Sequence, residues 1–310
     1  MTIIDWLLAQ NPTLERLTRI HLLNESILYQ ADGYIGRYLS LFDSDKKMWG
    51  SGVYAPKWIS THYTLMELMY FEIDPHHPIY QAGLDTILAG EWSNHGLYRK
   101  HVHVDMCIAA MILNLCAYGK RNDPHINEII DYILDHAMLD GGWNCAWERN
   151  KQTVIGSVHT TLSVLEAFHQ TIKNNYSYRK EDILFAMKRG IELLLNRDLY
   201  KTRTTNLPIH PTMTKASFPP RWKYDILRVL EFLIEVDYPK DCRMDDAIRL
   251  LTSQMKGPFM PKGTQISGLI HFQLEEGRFG GFNTLRMLKV LQKYEPETYL
   301  KLITSDTIHC

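Results

Sequence analysis

The chain has no surplus of either charge: 34 Lys and Arg stand against 35 Asp and Glu, a formal net charge of −1. Composition therefore provides no electrostatic reason for a nucleic-acid partner or an anionic membrane surface, and neither is expected. Cysteine is sparse and odd in number, at Cys107, Cys116, Cys145, Cys242 and Cys310. Scattered thiols of that kind do not make a disulfide framework and suit a reducing, cytoplasmic setting. No apolar run reaches the roughly 18–20 residues that a membrane span needs, so no transmembrane segment is expected. The opening "MTIIDWLLAQNPTLERLTR" has no basic region ahead of an apolar core and no small-residue cleavage site, and no signal peptide is expected. A Walker phosphate loop, a Gly-x-Gly-x-x-Gly after a strand, a Gly-x-Ser-x-Gly elbow and His-Glu-x-x-His are all missing. Extended period-2 alternation and Asn-Gly hairpins are missing too, which leaves little room for sheet.

What is present is a series of similar helical units in a chain with 45% apolar and 22% charged residues, the balance of a globular protein. Strongly apolar segments cover 58–70, 102–118, 157–170 and 222–236. Each runs into a loop rich in Asp, Asn and Pro, such as "EIDPHHP" or "EVDYPKD", and then into a more amphipathic segment such as "CRMDDAIRLLTSQM". Glycine/aromatic turns such as "MWGSG" and "DGGWNC" close the units, about 45–60 residues apart, the length of a helical hairpin with its connections. In "YDILRVLEFLIEV" the apolar residues go almost right round a helix, whereas the following segment keeps one apolar stripe. An inner ring of buried helices inside an outer ring of amphipathic ones explains both patterns. The expected fold is all-α: an α/α toroid of five to six helical hairpins spanning 1–310 as one domain, with helices in 1–47 completing the ring. An open solenoid is the competing architecture.

The stretch "DGGWNCAWERNKQTVIGSVHTTLSVLEAF" resembles the repeat of terpenoid cyclases and protein prenyltransferase β subunits, although the glutamine of their glutamine/tryptophan turn is missing. "FPPRWKYDILRVLEFL" and "GRFGGFNTLRMLKVLQ" look like further copies, and the resemblance covers roughly 48–293. It implies an apolar or isoprenoid substrate in a central cavity near the ends of the inner helices. In the prenyltransferases a zinc site is built from an Asp-x-Cys and a later His, and Asp105, Cys107 and His159 match those ligands; Arg99 matches an arginine six residues before the aspartate. Carboxylate, thiolate and imidazole are ligands that zinc accepts, so zinc is a possible cofactor. The plainer alternative makes Asp105 a helix cap and Cys107 a buried free thiol.

Other positions at helix starts face the same expected cavity. His62, His103, Trp222, Tyr224, Asn283 and Arg286 are candidate substrate contacts, with Arg99 and Arg286 for anionic groups. Asp105, His159 and Asp225 are the candidate catalytic residues; burial would raise a carboxyl pKa and keep its proton available. Asp-x-Asp-Asp and Asp-Asp-x-x-Asp, two known routes to a carbocation, are absent, and the pair Asp245–Asp246 falls on an expected outer helix. The leading expectation is a terpenoid cyclase- or prenyltransferase-like enzyme. The alternatives are a carbohydrate-active α/α-barrel enzyme using Asp105 and Asp225 as its carboxylate pair, and a non-catalytic helical scaffold whose interior is filled by side chains. A partner subunit, which prenyltransferases require, is left open.

Overall fold

A computed structural model describes residues 1–92, 104–147, 150, 152–263, 267–275 and 277–305. Among the described residues the regular structure is helical, with isolated bridges in place of strands. Helices α1 (Ile3–Leu8), α2 (Pro12–His21) and α3 (Gly33–Leu39) come first. Five hairpins follow: α4 (Thr61–Tyr70) with α5 (Pro78–Ile87), α6 (Met106–Tyr118) with α7 (Pro124–Asp135), α8 (Val158–Lys173) with α9 (Lys180–Leu195), α10 (Ile226–Glu235) with α11 (Asp245–Gln254), and α12 (Gly281–Tyr294) with α13 (Pro296–Thr304).

The first helix of each hairpin is the buried one. In α6 every residue from Ile108 to Ala117 is buried. Each Leu, Ile or Met there contributes about 1.5–3 kcal/mol relative to exposure. Its partner α7 buries Ile126, Ile129, Ile130 and Ile133 and leaves Asn127, Glu128 and Asp135 in water. Asp245 and Asp246 open the amphipathic α11, as expected. The two helices of each hairpin pack together. Between hairpins α4 packs on α6, α6 on α8, α10 on α12 and α12 on α2, and α3 lies between α2 and α4. Helices α8 and α10 are joined by the Glu166–Arg228 ion pair and by His169 against Phe232.

The repeat is visible in its bonds. A threonine hydroxyl at the start of a buried helix accepts a loop N–H in three units: Trp49 to Thr61 at 3.1 Å, Trp143 to Thr161 at 3.1 Å and Met260 to Thr284 at 3.0 Å. Both tryptophans donate their indole N–H to the carbonyl of an earlier helix, Tyr38 and Ile133. Each ring then lies on a glycine of the following amphipathic helix. A Cβ at Gly83 would sit 2.8 Å from Trp49 Cζ3, and one at Gly190 would sit 3.2 Å from Trp143 Cζ3. The sequence assigns 222–236 to one apolar segment; the helix itself starts at Ile226, because Asp225 caps it. Among the described residues no helix is long and apolar enough to cross a membrane.

Candidate functional site

Asp105 occupies the N-cap position of α6, where its backbone carbonyl receives the N–H groups of Ile108 and Ala109 at 2.8 and 3.0 Å. Its half-buried carboxylate makes no capping hydrogen bond.

Two residues on, the N–H of Cys107 donates to Cys145 Sγ at 3.2 Å, and Cys145 Sγ lies 3.4 Å from Thr160 Oγ1. Cys145 thus bridges the amino ends of α6 and α8. The thiols form an unequal pair. A hydrogen bond from Cys107 pulls Cys145 down to about 7 against the cost of burial, and Thr160 assists. The same bond, then burial, pushes Cys107 well above the usual thiol range. A thiolate at Cys145 also gains from the amide groups of the first turn of α6.

Aromatic rings cover the neighbouring ground. Tyr63 donates to the Tyr54 hydroxyl at 2.9 Å, and burial raises both phenols while the charges of Glu91 and Cys107 act on each. The ammonium of Lys57 sits among four rings: 5.3 Å from Tyr54, 5.6 Å from Trp58, 5.9 Å from Tyr63 and 5.6 Å from Trp222. Arg221 lies 4.5 Å over Trp58. His62 is fully buried and meets Glu91 at 2.9 Å through Nδ1. Among the described residues His62 Nε2, Glu91 Oε1 and Trp222 Nε1 find no hydrogen-bond partner.

His159 joins this cluster from its far side. Its ring packs on Trp222 and Tyr224, and Nδ1 accepts the Tyr224 N–H at 3.2 Å. Burial, with the charges of Arg228, His210 and Lys223, holds it down at about 4, so the ring is neutral at pH 7. With Nδ1 accepting, the ring proton is on Nε2. Among the described residues no three or more His, Cys, Asp and Glu side chains are gathered to hold an ion. For His159 to ligate a metal, it would have to give up either its bond to Tyr224 or its Nε2 proton.

No protein-family model, no curated protein and no solved structure matches the chain. The residues themselves must therefore carry the reading.

Three of the residues expected at the site belong to the fold instead. Asp225 is fully buried, and its carboxylate accepts from Arg228 N–H at 2.9 Å, Ser217 N–H at 3.2 Å and Ser217 Oγ at 2.9 Å. Burial raises its pKa, but a carboxylate so enclosed is a cap, not half of an accessible pair with Asp105. Tyr224 is buried and its hydroxyl donates to the Leu199 carbonyl. Asn283 is buried between Pro261 and Arg286, whose Nη1 it receives at 2.8 Å. Arg286 faces a separate cavity at the other end of the long helices. Arg99 and His103 lie outside the described residues.

Tyr54, Lys57, Glu91 and Cys145 were not marked by the sequence. Cys145 follows the Gly-Gly-Trp turn that precedes a buried helix, and that placement is the one signal pointing to it. Glu275 is a further buried acid. It lines a cavity of about 380 Å³ with Glu67 and Arg221, accepts the Phe282 N–H at 2.8 Å, and is raised by burial to about 7.

Proposed function

We propose that the chain is a terpenoid cyclase- or prenyltransferase-like enzyme, its long helices closed into an α/α toroid and its chemistry placed at their amino ends. The chain of contacts from α2 through α3, α4, α6 and α8 to α10, α12 and back to α2 supports the ring. The observation that carries the function is the box of four aromatic rings around one ammonium, with the Asp105 carboxyl near enough to act on the Tyr54 phenol. Aromatic faces stabilise a cation whether it is an ammonium or a carbocation.

In this reading an apolar substrate displaces the exposed Lys57 side chain from the box. Asp105 then gives its proton to one alkene carbon, the neighbouring carbon becomes the cation, and the rings of Tyr54, Trp58, Tyr63 and Trp222 face it. Loss of a proton from the product cation to a base ends the sequence. Neutral His159 and the Cys145 thiolate are the bases at hand. No step is routed through zinc. A cytoplasmic setting suits Cys107 and Cys145, whose thiols are not joined in disulfides.

The test is incubation of the purified protein with squalene, farnesyl diphosphate and geranylgeranyl diphosphate, with products identified by gas chromatography and mass spectrometry. Wild type should convert at least one of them. Asp105→Asn should lose about 10²–10⁴-fold in turnover, the scale of a general acid, at an unchanged melting temperature. Conversion of none, or a fully active Asp105→Asn, defeats the proposal. Elemental analysis of the same preparation decides the zinc variant: about one zinc per chain, lost in Cys107→Ser, would bring prenyl transfer to the front.

A further inference from the structure

A second cavity of about 540 Å³ lies toward the carboxyl ends of the long helices, with walls from α2, α4, α6, α8, α10 and α12. It is separate from the aromatic box, and nothing in the proposed chemistry uses it.

The charges on its wall are matched. Arg228 forks onto Glu166, with Nε to Oε1 at 2.8 Å and Nη2 to Oε2 at 2.5 Å. Arg286 Nε meets Glu231 at 2.6 Å, His21 meets Glu72 at 2.6 Å and Lys173 meets Glu235 at 3.3 Å. A wall with four carboxylates, each beside a basic group, selects neither a strong anion nor a strong cation.

Its hydrogen-bonding groups are not all matched. Arg286 spends Nε on Glu231 and Nη1 on Ser217 and Asn283, while Nη2 has no partner among the described residues. Among the described residues Asn114, in the middle of the otherwise apolar α6, has no partner for Oδ1, and His169 has none for Nε2. Asn114 is 8% exposed and Arg286 6%, so bulk water does not serve them. Lys289 Nζ is 3.9 Å from Glu231 and 3.7 Å from Glu235, too far for good hydrogen bonds. Groups left this way cost stability unless something else meets them.

Donors and acceptors stand open together: N–H groups on Arg286 and Lys289, a lone pair on Asn114. Hydroxyl groups both donate and accept, so a ring bearing several of them answers the whole set. A prenyl chain answers none of it, and a phosphate would face four carboxylates. Phe218, Phe232 and Phe282 add apolar faces to the same wall, the usual mix of a small-molecule site. We infer that this cavity binds a small, neutral, polyhydroxylated molecule: a sugar or cyclitol.

The test uses the full chain with glucose, maltose and myo-inositol as probes, and inorganic phosphate and farnesol as contrasts, followed by saturation-transfer NMR and calorimetry. At least one polyol should bind. Asn114→Leu should weaken it about tenfold, the loss of one net hydrogen bond, while raising the melting temperature because an unmet amide is removed. Lys289→Met, at the cavity edge, should weaken it similarly with no loss of fold. Binding of phosphate or farnesol in place of every polyol overturns the inference. So does binding of none of the probes, or polyol affinity unchanged in both variants.

Discussion

At the amino ends of α4, α6 and α8, single polar atoms stand beside aromatic rings; at the carboxyl ends of the same helices, charges stand in pairs around a void. His62 Nε2, Glu91 Oε1 and Trp222 Nε1 are unmet at the first end. Arg228–Glu166 and Arg286–Glu231 are closed contacts at the second. The difference is physical before it is functional. A buried polar atom costs a hydrogen bond when it is left unmet, whereas a guanidinium cannot stay buried without its counter-ion. One end therefore holds groups ready to meet something, and the other ties helices together while leaving a few atoms over.

The sharpest way to break the comparison is to remove one partner at each end. Arg228 is 4% exposed, and Glu166 holds its charge against burial. Glu166→Ala should cost about 3–5 kcal/mol in urea unfolding, because it strands a buried cation. Glu91→Ala should cost about 1–3 kcal/mol, because it leaves the buried His62 Nδ1 without its hydrogen-bond partner. Equal losses would mean that both ends are held by charge, and the distinction would fall.

The cysteine pair sharpens the amino end with a smaller effect. Cys145 is held below the usual thiol value, so its ionisation favours the folded state above about pH 7, and that contribution disappears as pH falls through about 7. The raised Cys107 keeps its proton over the same window. Alkylation by iodoacetamide, mapped by mass spectrometry, should label Cys145 with a midpoint near pH 7 and leave Cys107 unlabelled. Exposed Cys242 serves as the reference thiol. Cys107→Ala should move the Cys145 midpoint up by about one unit or more, toward the ordinary value of roughly 8.5. A midpoint indifferent to Cys107 would show that the helix end alone sets it.

Much of the helical plan is legible in residue patterns, because burial on all sides and burial on one side leave different marks. "MCIAAMILNLCAY" has almost no polar face and becomes the buried α6; "PHINEIIDYILD" has one and becomes α7. Helix starts are legible too, since Asp105 and Asp225 both precede apolar runs. What separates them is not. The Asp225 carboxylate accepts from Ser217 and the Arg228 N–H, that of Asp105 makes no capping bond to α6, and only the chain path decides which. Lys57 and Tyr54 sit in a loop before α4, and Glu91 reaches His62 across 29 residues, so no local spacing announces them. The carboxyl-end cavity did leave a trace: Glu166, Arg228, Glu231 and Arg286 are charges set inside apolar helices. Single charges in such places are affordable only in pairs, and that reasoning would have linked α8 to α10 and α10 to α12.

The smallest effect tests whether pairing matters by depth or by presence. Lys173–Glu235 also borders the carboxyl-end cavity, but its side chains are 54% and 40% exposed, against 4% and 22% for Arg228–Glu166. Exposed pairs are screened and lose side-chain entropy on forming. Lys173→Ala should therefore cost about 0.2–1 kcal/mol, and 0.5 M salt should erase most of that. The Glu166→Ala loss should persist in the same salt, because ions do not reach a buried guanidinium. If both losses faded together, the wall would be open to solvent throughout, and Asn114 and Arg286 would have water for partners.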